Sequence, residues 1–376
     1  MMMTAAILRQ GGLPKPFSES RPLTVEEVEL QAPGEGEVLV EIKAAGLCHS
    51  DLSAIEGIRP RKLPAIPGHE AAGVVRELGA NVRNLAVGDH VVAVVVTTCG
   101  HCEYCYDGRP NLCDATKSSR ANGTLQSGAR RLRFRGEELN HYSGLSVFAQ
   151  YAVCAASSLV AIDKEIPFEI AALFGCAVVT GVGAVLNTAQ IGAGTSAVVV
   201  GLGGVGLSAL AGAAAAGAYP IVAVDVQSVK LELARALGAT HTVLASDLDA
   251  VEQVREITAG GARHVFEMAG HPAALESALK MTRKGGVTVT AGLPDVRTAI
   301  PLAIAHFVTD ERTIKGSYMG SCVPQRDIPK YMRLFLEGRL PVNKLFSGTI
   351  GFGELNQAFD DLAGGQIVRK VLDPFR

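Results

Sequence analysis

The order of apolar and polar residues changes character along the chain of 376 residues. Up to about residue 177, short segments such as EVLVEIKAAG and HVVAVVV alternate or run apolar between Gly, Pro and Asn breaks, as is typical of β-strands joined by turns. From about 178 to 320, six short β-branched runs alternate with Ala- and Leu-rich helical stretches. This alternation predicts an α/β fold with a doubly wound, six-stranded parallel sheet of the Rossmann type.

The last segment, 321–376, contains an amphipathic helix within IPKYMRLFLEGR and a final strand. We expect this segment to pack back on the first region. The pattern therefore predicts a β-rich domain over 1–177, a nucleotide-binding domain over 178–320 and a return to the first domain over 321–376.

One stretch has no periodicity. The residues between Asp114 and Glu137 include six Lys or Arg and no acid. Such a segment could bind an anion, but a solvated loop with a short hairpin is the more common structure for this composition. We predict the loop and hairpin.

Composition and charge narrow the classes of function. Apolar residues make up 48% of the chain and charged residues 19%, which is enough for buried cores. A formal net charge of −2 argues against nucleic acid or an anionic membrane as a partner. The apolar run 197–218 is broken by glycines and predicts a strand, a turn and a helix rather than a membrane span. The N-terminal residues lack a signal-peptide pattern, so we expect a cytoplasmic protein.

Four cysteines fall within fifteen residues in CGHCEYCYDGRPNLC, residues 99–113. They could form disulfides, a redox pair or a metal site. Disulfides are rare in the cytoplasm, and the thioredoxin-like context of a redox C-x-x-C is missing. Four thiolates can enclose a tetrahedral zinc completely. We predict a closed, structural zinc site at Cys99, Cys102, Cys105 and Cys113.

A second set of donor residues is scattered along the chain. GLCHSD contains Cys48, GHE contains His69 and Glu70, and FGC contains Cys176. Each alone is more often a packing residue, as we expect for Cys154. Two cysteines and a histidine together are a known catalytic zinc set whose fourth position stays open. We expect Cys322 also to be a packing residue.

A glycine-rich turn follows the apolar strand SAVVV and precedes an Ala-rich helix. In this context G-x-G-x-x-G predicts a dinucleotide site, with the pyrophosphate at the helix N-terminus. The next strand ends at Asp225, whose carboxylate suits the ribose hydroxyls and repels a 2′-phosphate, which favours NAD over NADP. Lys230 adds a cation near the same ribose. The turn consists of Gly201, Gly203, Gly204, Val205 and Gly206.

Taken together, GLCHSD, GHEAAGVV, the four-cysteine loop, FGCAVVTG, GLGGVGLS and IVRKVL closely resemble the zinc-dependent medium-chain alcohol dehydrogenases over essentially the whole chain. The closest branch of that family includes the class I and the glutathione-linked class III enzymes. The resemblance implies that the β-rich domain is a GroES-like catalytic domain. It also implies two zinc ions per chain, one catalytic and one structural, and reversible oxidation of an alcohol to an aldehyde or ketone by hydride transfer to NAD.

The resemblance further assigns a role to individual residues. Cys48, His69 and Cys176 would bind the catalytic zinc, with Glu70 behind it as a transient ligand or electrostatic modulator. The remaining assignments are Asp51 as the residue that orients His69, Ser50 as the hydrogen-bond partner of the alcohol and the start of a proton relay, His49 and Arg369 as pyrophosphate contacts, and Thr180 as a neighbour of the nicotinamide.

One position departs from the resemblance. Many class I relatives have a histidine three residues after the serine, where it passes the proton to solvent, and this chain has Ser53. We expect the proton to leave through water instead. Val95 replaces the aromatic residue that lines the inner pocket of some relatives, so we expect room for bulky, branched or aromatic alcohols.

Two other functions remain open. A formaldehyde dehydrogenase acting on a thiol adduct such as S-hydroxymethylglutathione is favoured by His49 and by Lys117 as an anion contact. The stretch IEGIRPRKLP argues against it, because it is basic where those enzymes have an acidic pair. A zinc-free relative on the same fold is disfavoured, since all seven zinc ligands are present. By resemblance we expect a homodimer joined through the strand near TIKGSYM, although a tetramer is possible.

Overall fold

The computed structural model describes all 376 residues and divides the chain into two compact units. The first unit comprises 1–176, 323–329 and 346–376, and the second comprises 177–322 and 330–345. The segment 330–345 and residues 321–322 therefore belong to the second unit, whereas the prediction placed all of 321–376 with the first. Polar contacts hold the segment 330–345 to the second unit: Arg339 donates to the carbonyl of Ala215 at 3.2 Å, and Lys344 donates to that of Ala236 at 2.7 Å.

Eighteen β-strands form. They are β1 (Met2–Leu8), β2 (Leu23–Leu30), β3 (Glu37–Gly46), β4 (Ala65–Ile66), β5 (Ala71–Leu78), β6 (His90–Ala93), β7 (Leu132–Phe134), β8 (Glu137–His141), β9 (Tyr151–Ala155), β10 (Leu159–Ala161), β11 (Ala197–Val200), β12 (Ile221–Asp225), β13 (His241–Leu244), β14 (Ala262–Glu267), β15 (Thr282–Thr290), β16 (Thr313–Gly316), β17 (Phe346–Ile350) and β18 (Arg369–Leu372).

Thirteen α-helices connect the strands. They are α1 (Phe17–Ser20), α2 (His49–Ile55), α3 (Glu103–Tyr106), α4 (Asp114–Asn122), α5 (Phe168–Leu173), α6 (Ala177–Gly183), α7 (Gly204–Ala215), α8 (Ser228–Ala236), α9 (Ala250–Ile257), α10 (Pro272–Met281), α11 (Ile304–Thr309), α12 (Pro324–Leu336) and α13 (Leu355–Ala363). A π-helical stretch, Ala184–Ala189, continues α6, and short 3-10 turns cover Pro110–Leu112, Ala156–Ser158, Met319–Ser321, Val342–Leu345 and Phe352–Glu354. None of the helices combines the length and the apolar character needed to cross a bilayer.

The first unit contains a closed barrel and a larger sheet. The barrel runs in the order β1-β2-β7-β8-β4, and the sheet runs β10-β6-β5-β3-β18-β17 with β9 also paired to β3. Nine of the ten residues of β3 are buried because it has neighbours on both sides. By contrast, β2 alternates buried and exposed positions, as the polar residues of LTVEEVEL require.

The second unit is built on one parallel sheet with the strand order β13-β12-β11-β14-β15-β16. This confirms the predicted six-stranded, doubly wound sheet. The central strands β11 and β12 are buried at every position, because helices cover both faces of a parallel sheet. The chain order reverses beside β11, which creates the crevice where such folds bind dinucleotides.

The basic stretch after Asp114 differs from the predicted loop. A helix, α4, occupies its first part, and the predicted hairpin follows as β7 and β8. The helix buries Thr116 and Ser119 rather than aliphatic residues, so no apolar stripe marked it in the sequence. It ends at Gly123, whose φ of 65° places it in the left-handed region that favours glycine after a helix.

Candidate active site and metal clusters

The four-cysteine loop brings its sulfurs together. The donor atoms of Cys99, Cys102, Cys105 and Cys113 lie within 4.8 Å of one another, and the Sγ atoms of Cys99 and Cys105 are 3.9 Å apart. Zinc–sulfur bonds of about 2.3 Å in a tetrahedron place the sulfurs about 3.8 Å apart. The loop therefore fits a zinc ion with four sulfur ligands and no open position.

Turns within the loop aim backbone N–H groups at the sulfurs. Burial opposes ionisation of Cys113, but hydrogen bonds from the backbone of Cys99 and Thr116 lower its pKa to about 6. A backbone hydrogen bond from Cys105 lowers the pKa of Cys102. Burial raises the pKa of Cys105 to about 12, so the backbone favours the zinc-binding thiolate form at Cys102 and Cys113 only.

The second cluster forms at one end of the larger sheet. Strands β3 and β5 are antiparallel, with Ala45 opposite Ala71, so the end of β3 and the start of β5 lie side by side. Cys48 follows β3, and His69 and Glu70 precede β5. This register explains how residues 21 positions apart in sequence meet without a dedicated loop.

Close backbone approaches leave room for these side chains. A Cβ on Gly46 would lie 2.2 Å from Oε1 of Glu70, so only glycine fits beside that carboxylate. A Cβ on Gly175 would lie 2.6 Å from the carbonyl oxygen of Ala93, which allows the chain to bring Cys176 to the cluster. Two glycines therefore shape the site.

All four donors of this second cluster are buried, and their ligand atoms lie within 4.8 Å of one another. His69 donates from Nδ1 to Oδ1 of Asp51 at 2.9 Å, which leaves Nε2 free to accept. No hydrogen-bond partner reaches Nε2 of His69 or either carboxylate oxygen of Glu70. Buried polar atoms rarely stay unpaired, and a zinc ion held by Cys48, His69 and Cys176 accounts for the histidine nitrogen.

The electrostatics of the cluster favour one thiolate. A hydrogen bond from the Cys176 thiol, aided by Arg369 and His69, lowers the pKa of Cys48 well below its usual value despite burial. The same shared hydrogen bond and burial raise the pKa of Cys176. Burial raises the pKa of Glu70 to about 7, against the attraction of Arg369.

Arg369 lies against this cluster. Its guanidinium donates to the carbonyl of Leu47 at 2.7 Å and pairs with Glu70 at 3.6 Å, and the residue is 2% exposed. The resemblance assigns it to the cofactor pyrophosphate. Its contacts in the structure are instead with the metal-cluster residues, so the pyrophosphate contact stays a prediction.

Helix α2 carries the other predicted residues of the reaction. His49 is exposed and Ser50 half-buried at its start, while Asp51 is fully buried. The hydroxyl of Ser53 donates to the carbonyl of His49 at 2.8 Å. Tyr142, which the sequence analysis did not identify, donates its hydroxyl to the carbonyl of Ser50 at 3.0 Å. Burial raises the pKa of Tyr142 far above its usual value, so this hydroxyl remains a donor.

The glycine-rich turn joins β11 to α7. Gly201 has a φ of 88°, and a Cβ on Gly206 would lie 1.8 Å from the carbonyl oxygen of Gly201, so both positions require glycine. A Cβ on Gly203 would meet nothing within 4 Å. The turn therefore leaves open space above Gly203, at the N-terminus of α7, where Gly204 and Val205 form the first turn.

The remaining predicted cofactor residues lie in the same unit. Asp225 ends β12 and accepts from the backbone N–H of Leu202 at 2.6 Å and of Gln227 at 2.9 Å. Each carboxylate oxygen retains a second lone pair for a ribose hydroxyl. Lys230 is half-buried on α8, and Thr180 is buried on α6, where its hydroxyl contacts the sulfur of Met319 at 3.7 Å.

Val95 follows β6 in the first unit. The side chain is buried, and its carbonyl accepts a hydrogen bond from Arg120 of α4. Helix α4, which the sequence pattern did not predict, is therefore hydrogen-bonded to the chain just after β6.

Two family models match the chain, and together they cover more than half of it. "Alcohol dehydrogenase GroES-like domain" matches residues 34–164, and "Zinc-binding dehydrogenase" matches residues 204–337. The chain belongs to the zinc-dependent medium-chain alcohol dehydrogenase family. It is an oxidoreductase that uses zinc and a nicotinamide cofactor, as the resemblance predicted.

The relatives of this chain include proteins named alcohol dehydrogenase and proteins named S-(hydroxymethyl)glutathione dehydrogenase. "Putative alcohol dehydrogenase D" of Mycobacterium tuberculosis is 38% identical over 99% of this chain and 100% of its own. An S-(hydroxymethyl)glutathione dehydrogenase of Synechocystis is 36% identical over 95% and 97%. The relatives therefore include both the predicted function and its alternative.

Solved structures of similar proteins share the fold of the alcohol dehydrogenase. Benzyl alcohol dehydrogenase of Acinetobacter calcoaceticus superposes with a TM-score of 0.92 at 32% identity, over 99% of each chain. A zinc-binding dehydrogenase of Sinorhizobium meliloti 1021, solved with NADP, has a TM-score of 0.82 at 25% identity over 100% of each chain.

Proposed function

We propose that this dehydrogenase oxidises bulky or aromatic alcohols with NAD⁺ at the cluster formed by Cys48, His69 and Cys176. The observation that carries the proposal is the unpaired Nε2 of His69, which lies with two cysteine sulfurs in a buried cluster. Bound zinc supplies Lewis-acid polarisation of the substrate oxygen, and the nicotinamide supplies the hydride acceptor. The chain's own residues perform the remaining tasks.

The first task is to hold the metal ion. Oδ1 of Asp51 accepts a hydrogen bond from Nδ1–H of His69 and another from the backbone N–H of Gly68, at 3.3 Å, so the ring and its tautomer are defined. Cys48, His69 and Cys176 would then hold the metal. Glu70 keeps a carboxylate within the same cluster, where Arg369 limits its approach by pairing with it.

The second task is to remove a proton from the substrate. We assign this to the hydroxyl of Ser50, which is half-buried two residues after Cys48. Tyr142 holds the carbonyl of Ser50 and thereby the start of α2. The hydroxyl of Ser53 is committed to the carbonyl of His49, so we propose that water carries the proton onward.

The third task is to bind the dinucleotide. The open space at Gly203 and the N-terminus of α7 support a pyrophosphate site, with Gly201, Gly204, Val205 and Gly206 shaping the turn. The buried carboxylate of Asp225 supports NAD over NADP, since a 2′-phosphate beside it would be repelled. We retain His49, Thr180, Lys230 and Arg369 as proposed cofactor contacts.

The substrate preference rests on Val95. A valine leaves more space than an aromatic residue at the inner pocket, and the similar enzyme from Acinetobacter acts on benzyl alcohol by its name. The thiol-adduct alternative is supported by relatives named S-(hydroxymethyl)glutathione dehydrogenase. Against it, the stretch IEGIRPRKLP, residues 55–64, has Arg59, Arg61 and Lys62 against the single acid Glu56.

A substrate panel with metal analysis tests the proposal. Two zinc ions per chain are expected, and turnover of benzyl alcohol with NAD⁺ should exceed that of ethanol and of formaldehyde with glutathione. NADP⁺ in place of NAD⁺ should lower kcat/KM. Glutathione-dependent turnover of formaldehyde as the fastest reaction would favour the alternative, and active protein that binds no zinc ion would remove the mechanism.

We propose that the enzyme is a homodimer, with a tetramer as the next candidate. Strand β16 is at the edge of the parallel sheet and pairs only with β15. Three apolar side chains preceding it in sequence are exposed, Val296 at 91%, Ile304 at 70% and Val308 at 66%. Light scattering at several protein concentrations tests this, and Ile304→Glu should shift the mass toward a monomer.

We also propose a cytoplasmic location, because zinc sites built from cysteine thiolates need a reducing compartment. None of the eight cysteines forms a disulfide. Cell fractionation tests this location, and activity recovered only outside the cytoplasm would contradict it.

A further inference from the structure

Arg61 carries a positive charge close to the buried cluster, and the mechanism gives it no role. Its guanidinium carbon lies 5.5 Å from the centre of the Tyr142 ring, and that centre lies 6.3 Å from the centre of the His69 ring. Even with the three groups in line, the guanidinium is no more than about 12 Å from the His69 ring. Arg61 is half-buried and belongs to the same unit as both rings.

Tyr142 connects Arg61 to the residues of the reaction. Its hydroxyl donates to the carbonyl of Ser50 at 3.0 Å. Burial and the negative charge of Asp51 raise the pKa of Tyr142, and Arg61 opposes this rise because a nearby cation favours the phenolate. The guanidinium therefore lies near a hydroxyl that is one hydrogen bond away from Ser50, the residue that we assign to the alcohol.

No acid of the chain neutralises Arg61. No carboxylate oxygen lies within 4.0 Å of its nitrogens, and its buried Nε has no hydrogen-bond partner. Glu56, the nearest acid in sequence, pairs with Lys15 at 2.6 Å. Arg59 and Lys62 add charges of the same sign. The planar fork of donors on a guanidinium matches a carboxylate, so the missing partner of Arg61 is an anion of this shape.

Lys43 shows that contact with an aromatic ring does not stand in for a carboxylate. Its Nζ lies 5.1 Å from the centre of the Phe375 ring and also pairs with Glu41 at 2.7 Å. Lys43 thus has both kinds of partner, whereas Arg61 has only the ring of Tyr142. A half-buried guanidinium beside a reaction site can take its carboxylate from a substrate instead.

We propose that Arg61 binds a carboxylate of the substrate, and that the preferred substrate is an aromatic alcohol with a carboxylate on its ring. The inference rests on the proposed function, because it uses the same metal cluster. In a pair held by two N–H groups, the carboxylate carbon lies about 4 Å from the guanidinium carbon. The distance that remains to the metal cluster admits one benzene ring, with the alcohol carbon and the carboxylate at opposite positions, as in 4-(hydroxymethyl)benzoate.

Steady-state kinetics with NAD⁺ and two substrates test the proposal. 4-(Hydroxymethyl)benzoate carries the carboxylate, and 4-methylbenzyl alcohol has a methyl group in its place. In wild type, kcat/KM for the acid should exceed that for the neutral alcohol by about tenfold or more, since charge-assisted hydrogen bonds are gained. Arg61→Gln should lower kcat/KM for the acid by about 10–100-fold, chiefly through KM, and that for the neutral alcohol by less than about threefold. Arg61→Lys keeps the charge but loses the fork, so it should retain part of the preference.

Arg83→Gln is the matched control, since it removes the same charge from an exposed residue of the first unit, and both substrates should stay within about twofold of wild type. Equal losses for the two substrates in Arg61→Gln would make Arg61 a packing residue and overturn the proposal. If that variant does not fold, an undiminished preference for the acid in Arg61→Lys overturns the fork-shaped pairing in its place. Wild type that oxidises 4-methylbenzyl alcohol without preferring the acid refutes the role of Arg61 alone, whereas zinc-loaded wild type that oxidises neither compound refutes the aromatic substrate of the proposed function.

Discussion

The two cysteine clusters of the first unit differ in how they are assembled. One takes four sulfurs from a loop of fifteen residues. Of these four cysteines, only Cys113 is buried. The other takes two cysteines, a histidine and a glutamate from positions between 48 and 176, all of them buried. The first cluster depends on local turns, whereas the second depends on the register of β3 against β5.

The clusters also differ in what surrounds the donors. In the four-sulfur loop, the sulfurs of Cys102 and Cys113 accept hydrogen bonds from backbone N–H groups of the loop and of the residues just after it. The buried cluster has Asp51 behind His69 and Arg369 beside Glu70, and it retains unpaired donor atoms. A closed set of identical ligands suits structure, and a mixed set with supporting residues suits chemistry.

The largest expected effect is on the buried cluster. Cys48→Ser should lower kcat/KM by at least about a thousandfold, because zinc provides several kcal/mol of transition-state stabilisation. The variant should remain folded and retain one zinc ion per chain. Cys154→Ser is the matched control, since Cys154 is buried in the same unit but belongs to neither cluster, and its activity should persist. Comparable activity of Cys48→Ser and wild type would show that this cluster is not the reaction site.

Loss of a ligand from the four-sulfur loop should lower the stability of the protein rather than its activity. Cys105→Ser is expected to lower the free energy of unfolding by about 3 kcal/mol and Tm by about 6–12 °C, because a zinc ligand is lost from a closed site. Differential scanning fluorimetry and zinc analysis measure both. The protein that remains folded should turn over at nearly the wild-type rate. A stable variant that had lost only turnover would reverse the assignment of the two clusters.

A smaller effect is expected from Asp51, which acts on the buried cluster alone. Asp51→Asn should weaken zinc binding or activity by about 10–100-fold, because the partner of Nδ1 of His69 loses its charge. Chelator competition should release one zinc ion per chain faster than in wild type. Faster release of both ions would contradict the view that the clusters are independent.

His141 provides a pH test of a buried histidine outside both clusters. Burial, with Arg130 and Arg131 nearby, lowers its pKa to about 3, while Nε2 accepts from the backbone N–H of Arg131 at 3.1 Å. In the unfolded chain His141 binds a proton as the pH falls below about 6.5, whereas in the folded chain it stays neutral until about pH 3. Stability is therefore complete above pH 6.5 and falls with decreasing pH, by up to about 1.4 kcal/mol per unit down to about pH 3.

His141→Gln removes this titration. The difference in unfolding free energy between variant and wild type should change by about 2 kcal/mol between pH 6.5 and pH 5, measured by urea unfolding. Comparing the two proteins cancels the acid sensitivity that the metal clusters contribute to both. Parallel pH profiles would mean that the pKa of His141 is the same in the folded and the unfolded chain.

The smallest expected effect concerns the proton path from the buried cluster. Ser53→His should raise the rate of hydride transfer below neutral pH by about two- to fivefold, well under the roughly 10²–10⁴-fold of a complete acid–base catalyst. Stopped-flow measurement of NADH formation as a function of pH tests this. An unchanged pH–rate profile would leave no role for position 53 in proton transfer.

Sites whose residues lie close together in the chain could be predicted from the sequence. The C-x2-C-x2-C-x7-C loop, the glycine-rich turn and the six strands of the second unit all appear in the structure where the residue pattern indicates. The three scattered motifs also identified the donors of the buried cluster. In each case the residue types and their local order were enough for the prediction, because the contacts that build these sites and strands are local or follow from strand pairing.

Contacts between distant residues were decided only by the tertiary structure. Arg369 reaches the carbonyl of Leu47 across 322 positions, and Tyr142 reaches that of Ser50 across 92. The hydrogen bond from the hydroxyl of Thr290 to Glu267 depends on how β14 and β15 pair. Helix α4 was not predicted because Thr and Ser, rather than apolar residues, form its buried side, so the sequence shows no apolar stripe. Such contacts depend on which surfaces pack together, and no single stretch of sequence specifies that.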